Sequence, residues 1–267
     1  MAAVLLGDVV GWSKMPRESR RMITDTLLKD AFSQVRRHID PHPRAGEETF
    51  EIFRGDSFQG IIFRAAHALR AALFIRAALL SARSDGNRTD CRLAIGVGPL
   101  EYRPARRVGE MDGEAFRAAS RGMELLVKRN QRMSLQIAPA VSSGTPGNTI
   151  GRELMTELLL TDAIIQNWNA TQAEAMKYWL LSQSTGIPGA DSPTTGTTRG
   201  GGRGRLQGRA RGAWETQQDI AATLRISQGA VSQRLQRAKY WAIESVLQRY
   251  DEIIRGCTIP GEDGDRP

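Results

Sequence analysis

The chain opens on an apolar run, Ala2-Ala3-Val4-Leu5-Leu6-Gly7, which reads as a short strand with Asp8 at its end. Val9-Val10-Gly11-Trp12-Ser13 makes a glycine-bearing turn, and Pro16 suits the first turn of a helix. From Arg17 to Ile39, apolar residues recur at Met22, Ile23, Leu27, Leu28, Phe32, Val35 and Ile39. That spacing predicts one helix with one buried stripe, stopped by Asp40-Pro41-His42-Pro43. Phe50 to Phe63 then forms two short β-rich runs broken by Arg54-Gly55-Asp56-Ser57, a hairpin with its turn at Gly55-Asp56. Ala65 to Ala82 predicts a second helix, Cys91 to Gly98 a strand ending in glycines, and residues 99 to 112 a basic loop. Glu114 to Asn130 predicts a third helix and Met133 to Ala138 a last strand.

The order is β-α-β-β-α-β followed by α-β, which predicts an α+β domain of the split βαβ, ferredoxin-like type over residues 1–141. Its helices are expected on one face of a largely antiparallel sheet, leaving the other face and the strand ends free. Residues 142–185 then hold a linker and the first helices of an all-α part. Leu154 to Trp168 is one of these, and Thr171 starts the next, with Glu174 at capping-box spacing. Residues 186–213 are a tract of Gly, Pro, Ser, Thr and Arg that cannot bury a core and is expected to be disordered. Its later half, Arg199 through Arg211, contains no acid. It reads equally as a solvated linker or as a basic arm for nucleic-acid phosphate.

Residues 214–256 carry a helix-turn-helix pattern followed by a long helix. Thr216 can cap a first helix that buries Ile220, Ala221 and Leu224; Arg225-Ile226 makes the turn; Ser227 can cap a second helix. In that second helix Val231 and Leu235 face inward, while Gln228, Gly229, Ser232, Gln233 and Arg234 face out. Small and amide side chains at a helix start are what base-edge and phosphate contacts need. The expected DNA-binding set is Thr216, Gln217, Ser227, Gln228, Gly229, Ser232, Gln233, Arg234 and Arg237. The alternative is a helical hairpin that packs on a partner protein. Beyond it the helix is expected to run on through Trp241, Val246 and Ile253 for packing or dimerisation.

Composition narrows the classes. The chain has 267 residues, 40% of them hydrophobic, and a net charge of +8, a balance that points toward nucleic acid or another polyanion; the helix-turn-helix makes double-stranded DNA the expected partner. Cys91 and Cys257 make neither a disulfide framework nor a zinc spacing, and the three histidines form no ligand pattern. No apolar run is long enough to span a bilayer, and the N-terminus does not read as a signal peptide. A cytoplasmic protein with no membrane partner is expected. Asp8 and Asp56, each at the end of an apolar strand, are candidate ligands for a divalent metal that would in turn hold nucleotide phosphates. Asp56 equally suits plain turn duty.

These motifs carry a resemblance. Gly7-Asp8-Val9-Val10-Gly11-Trp12-Ser13 is similar to the first metal-binding motif of class III nucleotide cyclases, and Arg54-Gly55-Asp56-Ser57-Phe58-Gln59-Gly60 to the second. Ile95-Gly96-Val97-Gly98-Pro99 looks like the strand that follows, and Asp112 to Arg121 like the helix that carries substrate contacts. From about Leu158 to Ile254 the chain looks like the four-helix DNA-binding region of sigma-factor-like regulators, with the Gly/Arg tract inserted. The combination resembles the SatD family over nearly the whole chain. The resemblance implies Mg or Mn on Asp8 and Asp56, and phosphate binding by the backbone N–H groups of Val9, Val10, Gly11 and Trp12. It also implies catalytic positions at Arg121 and Arg117, the latter standing where cyclases have Asn. Ile52 stands where adenylyl cyclases have a purine-reading Lys. The expected function is a DNA-binding regulator controlled by a nucleotide-binding, cyclase-like domain. A metal-dependent nucleotide cyclase or oligonucleotide synthase, and a non-catalytic oligomerisation module, are the alternatives. A homodimer is expected, because in cyclases Arg121's counterpart reaches the partner's aspartates.

Overall fold

The computed structural model describes residues 1–41, 49–53, 55–82, 88–101, 108–141, 149–182 and 217–257. The protein is α+β, with a mixed five-stranded sheet and helices around it. The strands are β1 (Ala2–Val9), β2 (Phe50–Phe53), β3 (Ser57–Ile62), β4 (Cys91–Gly98) and β5 (Met133–Ile137), in the spatial order β2-β3-β1-β4-β5. β1 pairs antiparallel with both β3 and β4, β2 antiparallel with β3, and β5 parallel with β4.

Strand alternation sends the two sides of β1 into different cores. Ala3, Leu5 and Val9, with Phe58, Ile62, Leu93, Ile95 and Val97, enter the main core. There they meet the helical run Arg17–Ile39, built from α1 (Arg17–Met22), α2 (Lys29–Gln34) and the π turns Ile23–Leu28 and Val35–Ile39, and also α3 (Ala68–Ser81). The other side presents Val4 and Ile61 to Ala115 and Ala119 of α4 (Glu114–Arg129). The expectation that one sheet face stays free is therefore corrected: α4 covers it over β1, β4 and β5. The reason is local. A Cβ on Gly96 would collide with the Ala115 carbonyl oxygen and the Ala119 amide nitrogen, so the glycine admits the helix backbone onto the strand.

The later helices are α5 (Thr149–Gln166), α6 (Ala170–Ser182), α7 (Gln217–Leu224), α8 (Gln228–Arg237) and α9 (Tyr240–Gly256). α6 lies along α3, and one continuous core runs from Ala3 in the sheet to Ile254 in α9. Polar bonds cross the same seam. Arg76 of α3 is fully buried; its Nε and Nη2 donate to Asp90 at 3.0 and 2.8 Å, and its Nη1 to Asp162 of α5 at 2.7 Å. Burial would lower the guanidinium pKa, but the two carboxylates outweigh it and hold it above its ordinary value. Tyr250 of α9 is buried, and its hydroxyl donates to the Ala65 carbonyl at 2.9 Å.

Three sequence expectations shift by a few residues. The α6 capping box is Asn169 with Gln172, whose amide N–H and side chain exchange bonds with Asn169 at 2.9 and 3.0 Å. Glu174 is thereby free of cap duty. The final helix is not continuous with α8: Lys239, at φ 60, breaks the two apart. In α9 the buried line is Ile243, Leu247, Tyr250 and Ile254, and Trp241 is 53% exposed. Among the described residues no helix is long and apolar enough to cross a membrane.

Candidate functional site

Asp8 lies within β1 rather than past its end, opposite Ser57 of β3 on one side and Arg92 of β4 on the other. Asp56 sits in the β2–β3 turn, and its carbonyl accepts the Val9 N–H at 2.9 Å. The two aspartates therefore belong to adjoining strand ends, as the sequence predicts. Gly7 precedes Asp8 for a packing reason, since a Cβ there would run into the Phe58 ring.

A third residue, which the motifs did not identify, joins them. Arg92 Nη1 donates to Asp8 Oδ2 at 3.0 Å, with both side chains about a quarter exposed, 23% and 24%. The signal was present: a lone arginine inside Cys91-Arg92-Leu93-Ala94-Ile95 must find an acid if its strand is buried. Asp8 Oδ1 and Arg92 Nε remain buried without a hydrogen-bond partner. Among the described residues the Asp56 carboxylate accepts a single long bond, 3.3 Å, from Ser57 Oγ. Asp8 Oδ1 and the Asp56 carboxylate are the oxygens a divalent cation would take. No group of three or more His, Cys, Asp or Glu among the described residues could hold a metal. Two carboxylates are too few for a fully protein-ligated ion, so an ion on this pair would be a magnesium-like one that keeps several waters.

The expected phosphate cradle is partly occupied. The Val9 N–H goes to Asp56 and the Val10 N–H to the Asp90 carbonyl at 2.9 Å, so these two are not available to an anion. Gly11, at φ 74, and Trp12 lead into a short 3-10 turn, Trp12–Lys14. On α4, Arg117 is engaged with Asp112 at 3.2 Å and Glu101 at 3.3 Å. Arg121 is exposed, with no ion pair among the described residues. It follows Glu114 by two helical turns and so shares its side of α4; Glu114 accepts the Ala140 N–H beyond β5. Within one chain, then, Arg121 stands on the β5 side, away from Asp8 and Asp56.

Neither cysteine suits nucleophilic chemistry. Cys91 and Cys257 are buried, and burial pushes both thiols above their ordinary range.

The helix-turn-helix pattern folds as expected in its elements, with Leu224 half-buried rather than buried. α7 buries Ile220 and Ala221, Arg225 makes the turn at φ 54, and Ser227 caps α8 by accepting the Ala230 N–H at 3.2 Å. Val231 and Leu235 are buried, whereas Ser227, Gln228, Gly229, Gln233, Gln236 and Arg237 are exposed. Arg225 and Lys239 are exposed as well and, like Arg237, have no ion pair among the described residues. Gln217 and Ser232 are half-buried, and Thr216 lies outside the described residues, as do Arg54 and the whole tract from 186 to 213.

One member of the set is corrected. Arg234 does not face solvent: its Nη1 donates to Glu174 Oε2 of α6 at 3.0 Å, with the arginine side chain 24% exposed. The indole N–H of the buried Trp168 donates to the Ala238 carbonyl at 2.8 Å. These two contacts fix the back of α8 to the α5–α6 pair. In comparisons with known proteins, no family model and no curated sequence matches the chain.

Proposed function

We propose that this chain is a cytoplasmic DNA-binding regulator in which α8 enters the major groove and the sheet carries a nucleotide-responsive site, an arrangement resembling the SatD family. The observation that carries the reading is α8 itself. Its back is fixed by Glu174 and Trp168, the polar side chains of its outer face have no ion pair among the described residues, and the exposed cations Arg225, Arg237 and Lys239 flank it. Phosphate contacts from such cations position a duplex, and groove-facing side chains read it.

The strand order β4-β1-β3-β2 with antiparallel pairings throughout supports a ferredoxin-like, cyclase-like sheet, with β5 added at its edge. In this reading Asp8 and Asp56 hold one Mg or Mn, which would bring a nucleotide's phosphates to the strand ends, with Arg92 as the neighbouring positive charge. A homodimer would supply Arg121 from the second copy and two recognition helices to one duplex. The unpartnered Asp8 Oδ1 favours a second reading, a metal-dependent nucleotidyl cyclase.

The deciding experiment is fluorescence anisotropy of the full chain with duplex DNA across a salt series. The expected result is a linear fall of log K with log salt, its slope reduced by about one on each of Arg237→Ala and Lys239→Ala. Absence of duplex binding at low salt overturns the regulator. Adding nucleoside triphosphates with Mg²⁺ or Mn²⁺ tests control: DNA affinity is expected to change in the wild type and not in Asp8→Asn. Pyrophosphate release under the same conditions would favour the cyclase.

A further inference from the structure

We infer that the outer row of α8 reads adenine, through the side-chain amides of Gln233 and Gln236, so that the target site is rich in A·T pairs where the helix enters. The inference rests on the DNA-binding reading above. Gly229, Gln233 and Gln236 follow one another at helical spacing, directly opposite the buried Val231 and Leu235. All three are exposed, and neither glutamine's side-chain amide has a hydrogen-bond partner among the described residues. Both amides are thus free to give one donor and one acceptor to a base edge.

The chemistry of the row disfavours guanine and cytosine. Guanine is read in the major groove by a bidentate Arg or Lys on O6 and N7, and cytosine by an acid on N4. The row holds neither. Arg234, the one cation beside it on the buried side, is committed to Glu174. Arg237, exposed one turn beyond Gln233, is the remaining cation on this side of α8 and is assigned to phosphate. A Gln amide matches adenine, accepting from N6 and donating to N7. Gln233 and Gln236 are about 4.5 Å apart along the helix axis, close to the ~3.4 Å step of a DNA strand, so they meet neighbouring base pairs.

Gly229 adds a second indication. A Cβ there would meet only Ser227 Oγ, at 4.0 Å, and neither packing nor backbone conformation requires glycine. A residue that weakens its helix without serving the core is explained by what must approach it from outside. Bare backbone at the head of the row lets the glutamines sit deep against the base edges.

The test is selection of duplexes from a pool with a randomised core, using the full chain at about 150 mM salt, followed by sequencing. The expected result is enrichment of adenine at two neighbouring positions. Gln233→Ala should flatten one and Gln236→Ala the other, each lowering discrimination by roughly 10- to 100-fold. Gln233→Lys should move the preference at its position to guanine. Gly229→Ala should weaken binding to the selected duplex while leaving the melting temperature unchanged or raised. Circular dichroism of each variant checks that the fold is kept. Duplex binding with the same sequence preference in wild type and both alanine variants overturns the adenine readers and leaves the DNA-binding reading intact. No duplex binding by the wild type overturns both.

Discussion

Individual residues in this protein are decided by who stands next to them. Arg76 looks in the sequence like one more charge on an Ala/Leu-rich helix, yet it is among the largest fully buried side chains of the described residues and holds two buried carboxylates. Removing it would leave Asp90 and Asp162 charged in the interior. Arg76→Ala is therefore expected to cost about 3–5 kcal/mol of stability, measured by urea unfolding. Tyr250 gives a pH dependence. Burial, helped by Cys257 and Asp251, raises its phenol above the ordinary 10.0. An acid whose folded pKa is raised stabilises the fold fully below its unfolded pKa and loses that contribution as pH rises beyond it. The melting temperature of the wild type should exceed that of Tyr250→Phe at pH 8, and the gap should close above about pH 10. A gap that stays constant to pH 11 would show that the phenol does not ionise with unfolding.

Among the elements, α4 and α8 show the two ways in which a helix is held. α4 is held by the absence of side chain at Gly96. Gly96→Ala forces the helix off β4 and is expected to destabilise by about 1–3 kcal/mol, the usual cost of overpacking. Gly151 in α5 is the control: nothing lies within 4 Å of a Cβ there, so Gly151→Ala should be neutral or stabilising by up to about 1 kcal/mol. If both substitutions behave alike in thermal melts, close approach is not what the Gly96 position requires. α8 is held from behind, by Arg234 and by the Trp168 bond to Ala238, which leaves its outer row free of packing duty.

For the molecule as a whole, sheet and helices share a core that passes from α3 into α6 and on to α9. Far-UV circular dichroism and tryptophan fluorescence should follow one coincident urea transition; two separated transitions would mean that the helical part unfolds on its own. Hydrophobic periodicity by itself determined the element order, from the first strand through the capped helix at Ser227, because a period of two or of 3.6 is a local property of consecutive residues. It also put Asp8 and Asp56 each at the end of a strand, while the β1–β3 register made those ends neighbours. What only the tertiary structure decided is pairing between distant segments. Asp8 meets Arg92, 84 positions on, and Glu174 leaves cap duty to hold Arg234, 60 positions on. α4 takes the second sheet face because a glycine on β4 meets alanines on the helix. No local period encodes those meetings; they follow from volume and charge brought together once the chain has packed.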